Sequence, residues 1–321
     1  MPKRKNYIIK YFAFIVILGL SSTLFCPCLY APWIWSPEGG WMNQKDMVKE
    51  SPKAQWDLAQ DLEKEKKYNN AARAYKALIK AYPTSPLAPK AYLRMAENYK
   101  HDGEWYEAFQ AYQKLLEIYP KEIDFEYVLG QQYQIGEMFV KGKKRKLLHL
   151  PVIPARDKGI EILETLVKNA PYSEIAPEAQ FQIGTAYKKM GKYDKAIEAY
   201  QNIILNYKNT PWYEEALYQM GWCYYRKSRG FSYDQLAAKE STTLFQRFVE
   251  EFPHSKHTPK INKQLAELTG RQAKGVYQIA RFYEAHGHKE AAIMYYKQVI
   301  EKNPGTKEAQ DAARRLKKLQ K

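Results

Sequence analysis

An all-α architecture of stacked helix pairs is what this sequence predicts, and three observations predict it. An aromatic–small–aromatic pattern returns along most of the 321-residue chain. A proline stands at a set distance behind most of these returns. The apolar positions fall at spacings of three and four, which places them on one helical face. The composition suits a folded chain, with 45% hydrophobic residues, 27 Tyr and 7 Trp, far more aromatic than disordered chains are. A formal charge of +16 favours anionic neighbours and excludes an acidic tail. Three Cys make no disulfide framework and lack the paired spacing of a zinc site.

The first element is an address. Lys3, Arg4, Lys5 and Lys10 precede an apolar run from Tyr11 to Phe25. A basic segment followed by such a run reads as a secretory or lipoprotein-type signal over 1–25. The run is shorter than the roughly 20 apolar residues a bilayer span needs. Cys26 is the candidate lipid anchor, although Phe25 stands where lipoprotein signals carry a small residue. An uncleaved membrane anchor and simple secretion after Ala31 are the alternatives; Cys26 and Cys28 are then only small apolar residues. Residues 26–50 follow as a Pro/Gly/Trp-rich tether, carrying Pro32-Trp33-Ile34-Trp35-Ser36-Pro37 and Gly39-Gly40-Trp41. Its Trp residues suit a membrane interface or a partner groove, or pack on the first helix pair.

The repeats fill 51–321. Tyr68, Ala71, Tyr75 and Pro83 show the pattern first, and Trp105, Ala108, Tyr112 and Pro120 repeat it 37 residues on. Tyr193, Ala196 and Tyr200 show it again with Lys208 in the proline position, and Lys289, Ala292, Tyr296 and Pro304 close the series. Ala96, Gly184 and Ala280, on the helices before, are small enough to let two helices approach closely. Proline after each second helix ends it, because it cannot continue the hydrogen-bond ladder. These signals predict six pairs, over 52–82, 86–119, 124–169, 174–207, 212–252 and 258–303, and a capping helix over 306–319. The third pair is lengthened by Lys141-Gly142-Lys143-Lys144-Arg145-Lys146 and the residues to Pro154, read as a basic loop. The fifth is stretched by Arg226-Lys227-Ser228-Arg229-Gly230-Phe231. From Pro259 to His286 only Gly270 and Gly275 interrupt the apolar period, which predicts one long helix or two nearly collinear ones.

A period in the thirties with paired helices resembles the tetratricopeptide repeat, which implies a right-handed solenoid and one elongated domain. The junctions add a second signature: Tyr82-Pro83-Thr84-Ser85, Ala170-Pro171-Tyr172-Ser173 and Phe252-Pro253-His254-Ser255. Behind a lipoprotein-like signal, these junctions, with the spacing of Phe245, Phe248, Phe252 and Pro253 and the run Ala280-Arg281-Phe282-Tyr283-Glu284, resemble the BamD family of outer-membrane assembly lipoproteins. Six pairs exceed the five typical of that family. The resemblance implies a non-catalytic scaffold on the periplasmic face of the outer membrane. It implies two partners: the periplasmic domains of a BamA-like barrel protein and nascent outer-membrane proteins. The first pairs are the expected capture surface, with Tyr92, Arg94 and Tyr99 as candidate contacts, and the last two pairs the expected seat of the partner domains.

Catalytic sets are hard to find. His254 with His257, and His286 with His288, sit at expected turns without acidic ligands at matching spacing, so they read as solvent-exposed loop histidines. Cys223 lies in an apolar helix and reads as an inert buried thiol. Glu97, Glu104 and Glu107 read as solvated helix faces. No cofactor, metal or small-molecule substrate is expected. Lys143, Lys144, Arg145 and Lys146 suit anionic lipid headgroups or an acidic partner, or a merely solvated insertion. Nucleic acid fits the charge but not a periplasmic address. The rival functions are a repeat protein coordinating cell-envelope or peptidoglycan processes, a generic interaction adaptor, and an envelope enzyme or its substrate-binding subunit.

Overall fold

The computed structural model describes residues 48–142, 156–229 and 234–320 in full, and the backbone alone of four strands. Those strands are β1 (Trp33–Ser36), β2 (Gly40–Asn43), β3 (Lys144–Leu147) and β4 (Leu150–Pro154). Among the described residues there are thirteen helices. They are α1 (Pro52–Lys64), α2 (Tyr68–Ala81), α3 (Ala88–Asp102), α4 (Trp105–Ile118), α5 (Phe125–Val140), α6 (Arg156–Asn169), α7 (Ala176–Lys189) and α8 (Tyr193–Asn206). The remainder are α9 (Trp212–Ser228), α10 (Gln235–Glu251), α11 (Thr258–Ala285), α12 (Lys289–Lys302) and α13 (Lys307–Leu319). Each of the six expected pairs holds two of them, and the expected cap is α13. The all-α helix-pair architecture is therefore the one present.

The ends of the helices follow from side-chain chemistry. Ser51, Asp124, Asp234 and Thr306 each accept a hydrogen bond from the backbone N–H three residues on, at 2.9–3.2 Å, which satisfies a donor the first turn leaves unpaired. Pro83, Pro120, Pro171, Pro253 and Pro304 each lie two residues beyond the last helical residue. The turn between α7 and α8 needs a left-handed residue, and Gly191 supplies φ 73° without a Cβ penalty. In the first pair Lys66 adopts φ 58° instead.

The chain falls into two compact units, Met1–Gly103 and Glu104–Lys321. In the first, α2 packs against both α1 and α3. Ala59, Ala71, Tyr75, Leu78 and Ala96 are completely buried there. The buried Gln55 amide donates to the Ala74 carbonyl at 2.9 Å.

In the second unit consecutive helices pack from α5 through α13. The close approach rests on a small residue facing a large one. A Cβ added to Gly136 would lie 2.7 Å from Leu163 Cδ2, one added to Gly184 2.6 Å from Tyr200 Cε1, and one added to Gly221 2.7 Å from Phe245 Cε1. Gly184 and Ala280 act as expected; Gly136 and Gly221 extend the rule to the two interrupted pairs. Gln180 donates to the Ala199 carbonyl at 3.0 Å, repeating the Gln55 bond at the same separation.

α11 is one uninterrupted helix of 28 residues. Its Ile261 and Leu268 belong to the core built on Phe245 and Phe248. Its Ala273 and Ala280 belong to the next core, around Tyr296 and Val299. Two successive cores thus share one rod. Gly270 and Gly275 meet no other atom within 4 Å of an added Cβ, so neither breaks the helix for packing reasons.

Two hairpins depart from a purely helical reading. β1 pairs antiparallel with β2, Trp35 opposite Trp41, inside the segment expected to be a plain tether. β3 pairs antiparallel with β4, Arg145 opposite Ile153, with an irregularity after Arg145. The expected basic loop is therefore a strand over Lys144–Leu147. Trp33, Ile34 and Trp35 in β1, and Val152 and Ile153 in β4, favour extended backbone, whereas β3 has no such residue and is extended through its pairing with β4. The fifth pair is stretched differently from expectation as well, since α9 runs through Arg226 and Lys227 to Ser228.

Candidate functional site

The second helix of several pairs carries a buried Tyr whose hydroxyl needs a partner. In the first unit Tyr75 OH donates to Glu63 Oε2 at 3.1 Å. The other oxygen of Glu63 pairs with Arg94, and Arg94 Nη1 reaches Glu97 Oε2 at 2.7 Å. In the last pair Tyr296 OH donates to Glu284 Oε2 at 2.5 Å, and Arg315 Nη1 lies 3.2 Å from Glu284 Oε1. The separations are identical: Tyr follows Glu by 12 residues and Arg follows it by 31. Burial and the adjacent carboxylate push both phenols well above their ordinary pKa, so each stays a donor. Burial alone would raise the Glu284 pKa, but Tyr296 and Arg315 outweigh it and hold it low.

The fourth pair keeps the spacing and reverses the charge. Lys188, Tyr200 and Gln219 stand where Glu, Tyr and Arg stand at the ends. Lys188 Nζ donates to Gln219 Oε1 at 2.6 Å. Gln219 Nε2 donates to Glu215 Oε1 at 2.9 Å, and Glu215 Oε2 lies 2.9 Å from His257 Nε2. Tyr200 OH turns to Thr185 Oγ1 at 3.2 Å. Lys188 Nζ sits 5.4 Å from the Trp222 ring centre and the Arg226 guanidinium 5.5 Å from it. Burial lowers the Lys188 pKa below the ordinary lysine range.

A groove of about 500 Å³ is lined by residues of α6, α7 and α8, including Glu164, Lys168, Tyr187, Lys195 and Glu198. Tyr187 OH donates to Glu164 Oε1 at 3.0 Å, and Lys195 stands 5.4 Å above the Tyr187 ring. Farther along, Phe282 and Met294 are exposed, and Tyr283 stacks on Tyr295 at 5.4 Å. Phe282 lies 5.8 Å from Tyr283, so these three rings form an aromatic patch on α11 and α12.

The sequence-predicted residues fall out unevenly. Tyr92 and Tyr99, seven apart on α3, share a helical face and are half-buried. Arg94 is turned to Glu63 and Glu97 instead. Glu97 is thus an ion-pair member, not a solvated acid. Cys26 and Lys143 lie outside the described residues; Lys144, Arg145 and Lys146 lie on β3, described by its backbone. His257 is not an exposed loop residue, because its ring stacks on Tyr218 at 4.1 Å and bonds to Glu215. Cys223 is fully buried, and burial pushes its thiol up to about 12, which removes it as a nucleophile at neutral pH. The cation–aromatic site on Lys188 is not among the sequence-predicted residues. Its signal was there: a Lys and a Gln at spacings that elsewhere carry Glu and Arg.

No helix among the described residues is long and apolar enough to cross a membrane, and no cluster of three or more metal-ligating side chains occurs among them.

A family model described as YfiO, outer membrane lipoprotein, matches residues 155–320, and a tetratricopeptide-repeat model matches 57–123. Outer membrane protein assembly factor BamD of Caulobacter vibrioides is 23% identical over 160 residues, 50% of this chain and 52% of that protein. BamD of Neisseria gonorrhoeae is 24% identical over 153 residues, 44% of this chain and 57% of that protein. The chain thus spans about half the length of the curated relatives it matches. Among solved structures, a tetratricopeptide repeat protein from Parabacteroides merdae aligns at 15% identity with a TM-score of 0.33, covering 85% of this chain and 100% of that one. MamA aligns at 19% identity with a TM-score of 0.33, covering 63% of this chain and 92% of that one.

Proposed function

We propose that this chain, which belongs to the YfiO family of outer membrane lipoproteins, is a non-catalytic scaffold for outer-membrane protein assembly. The observation that carries the proposal is the family match over 155–320, the stretch that holds the shared rod α11 and the cores on either side of it. The curated relatives that match are named as assembly factors of this kind. Stacked helix pairs present wide surfaces made of many side chains, which suits recognition of proteins better than turnover of a small substrate.

In this reading Cys26 carries the lipid that tethers the chain to the periplasmic face of the outer membrane. The helices of 51–321 act as one repeat domain. The first pairs, with Tyr92 and Tyr99 on one face of α3, take up extended segments of nascent outer-membrane proteins. The aromatic patch of Phe282, Tyr283 and Tyr295 seats the periplasmic domains of a BamA-like barrel protein. Lys143 to Lys146 face anionic headgroups or an acidic protein surface. Holding two partners on one tethered chain raises their effective concentration for each other, and that is the mechanism.

The test is a pull-down of the full chain from crosslinked native membranes, with captured proteins identified by mass spectrometry. Recovery of a barrel protein with periplasmic repeats is the expected outcome, and deletion of residues 252–321 abolishes it while leaving most helicity in place. Recovery of peptidoglycan-associated or division proteins instead moves the function to envelope coordination.

A further inference from the structure

The register shared by the first, fourth and sixth pairs carries an inference beyond the scaffold reading. At the ends, each cation at this register meets a carboxylate: Arg94 has Glu63, and Arg315 has Glu284. At the fourth pair the carboxylate is replaced by Lys188 and the arginine by neutral Gln219. The ammonium of Lys188 has one hydrogen-bond acceptor among the described residues, the Gln219 carbonyl, which leaves part of its three-donor capacity unused. Glu215, which acts on Lys188 across a distance, is already bonded to Gln219 and His257. Arg226 makes no ion pair among the described residues, and Asp194 close by is taken by Lys227. Lys260, held 5.7 Å from the Tyr218 ring, adds further positive charge felt at Lys188.

We propose that Lys188 and Arg226, both held over Trp222, form a binding site for a carboxylate carried on an extended peptide segment of a partner protein. Stacking on one indole holds both cations in place before the ligand arrives, which reduces the ordering cost of binding. Half-buried Lys188 meets its counter-ion in a poorly solvated wall, where a charge-assisted hydrogen bond is stronger than on an open surface. The site needs only an acid-bearing peptide, and stands whether or not that peptide belongs to outer-membrane assembly.

The experiment uses the full chain in dodecyl maltoside and three octapeptides of one Gly/Ser/Tyr sequence, each capped at its N-terminus with a charge-neutral dipyrromethene–boron fluorophore. The first is amidated and uncharged, the second amidated with one internal Glu, and the third ends in a free carboxylate. Fluorescence anisotropy should show binding of an acid-bearing peptide and none of the uncharged one. Binding of the second identifies a side-chain carboxylate as the ligand, and binding of the third a chain terminus; either supports the site. Lys188→Met and Arg226→Met should each weaken binding about tenfold, equivalent to about 1.4 kcal/mol, while Lys188→Arg retains it and Arg315→Met leaves it unchanged. Thermal unfolding by circular dichroism checks that each variant is folded, and the exposed Arg226 carries the test if Lys188→Met is not. Equal binding of all three peptides, binding of none, or acid-peptide affinity untouched in the folded methionine variants overturns the proposal.

Discussion

The fourth and sixth helix pairs solve the same packing problem and surround it with different polar groups. Both bury a Tyr completely against a small residue sixteen positions earlier, Tyr200 against Gly184 and Tyr296 against Ala280. In the sixth pair the Tyr296 hydroxyl and two arginines, Arg281 and Arg315, converge on Glu284. In the fourth the hydroxyl is satisfied by Thr185, and the charged position is left to Lys188 and Gln219. Packing and charge are therefore separable along this chain. The apolar register specifies the stack, and the polar residues around it are free to make one pair a lock and another a reception site.

The largest expected effect treats the two pairs alike. Tyr200→Ala and Tyr296→Ala each remove a fully buried ring, and each should cost about 3–5 kcal/mol, measured by urea unfolding of the full chain. A loss at only one of them breaks the claim that packing is shared.

Next in size is the small residue. Gly184→Ala places a Cβ where the Tyr200 ring already stands, and overpacking of this kind costs about 1–3 kcal/mol. Ala280→Gly removes a fully buried methyl and lowers helix propensity, together about 2 kcal/mol. An unchanged or raised midpoint for Gly184→Ala would show that the helices of the fourth pair are not held at this separation.

The smallest effect separates the pairs by chemistry. Tyr296→Phe leaves Glu284 without one of its donors and should destabilise more than Tyr200→Phe, whose partner is a single hydroxyl; hydrogen bonds to charged groups contribute about 1.5–3 kcal/mol and neutral ones about 1. The difference has a pH sign. Glu284 has a depressed pKa in the fold, so its contribution is complete above the ordinary glutamate value of 4.5 and is lost as pH falls through the folded value. Removing the Tyr296 donor should shrink that acid-side loss, whereas Tyr200→Phe should leave the pH profile parallel to the parent. Parallel profiles for both would dissolve the contrast.

Much of this was legible in the sequence, for reasons that differ by element. Pro83, Pro120, Pro171, Pro253 and Pro304 end helices because the ring lacks an N–H, a local fact. Tyr75 and Tyr296 were legible as core because a fixed spacing on a helix is a fixed face. The hairpin over Lys144–Leu147 and Leu150–Pro154 was missed because a few basic residues read as solvated loop when strand pairing is unseen. Arg94 was read as a contact for a partner, but a spacing of 31 residues to Glu63 says nothing until two helices are placed side by side. His257 was misread for the same reason, since Tyr218 and Glu215 lie on another helix.

What the sequence alone determined is the number of helices in the repeat, where they stop and which face of each is apolar. Those properties depend on backbone geometry and on residues within one or two turns. The tertiary structure alone decided which charges are neutralised and which remain available. Glu284 with Arg315, and Lys188 with Gln219, meet only across helices. A charge's worth depends on what stands within a few ångströms of it and on how much water is excluded there, and neither quantity is written in the spacing of a single helix.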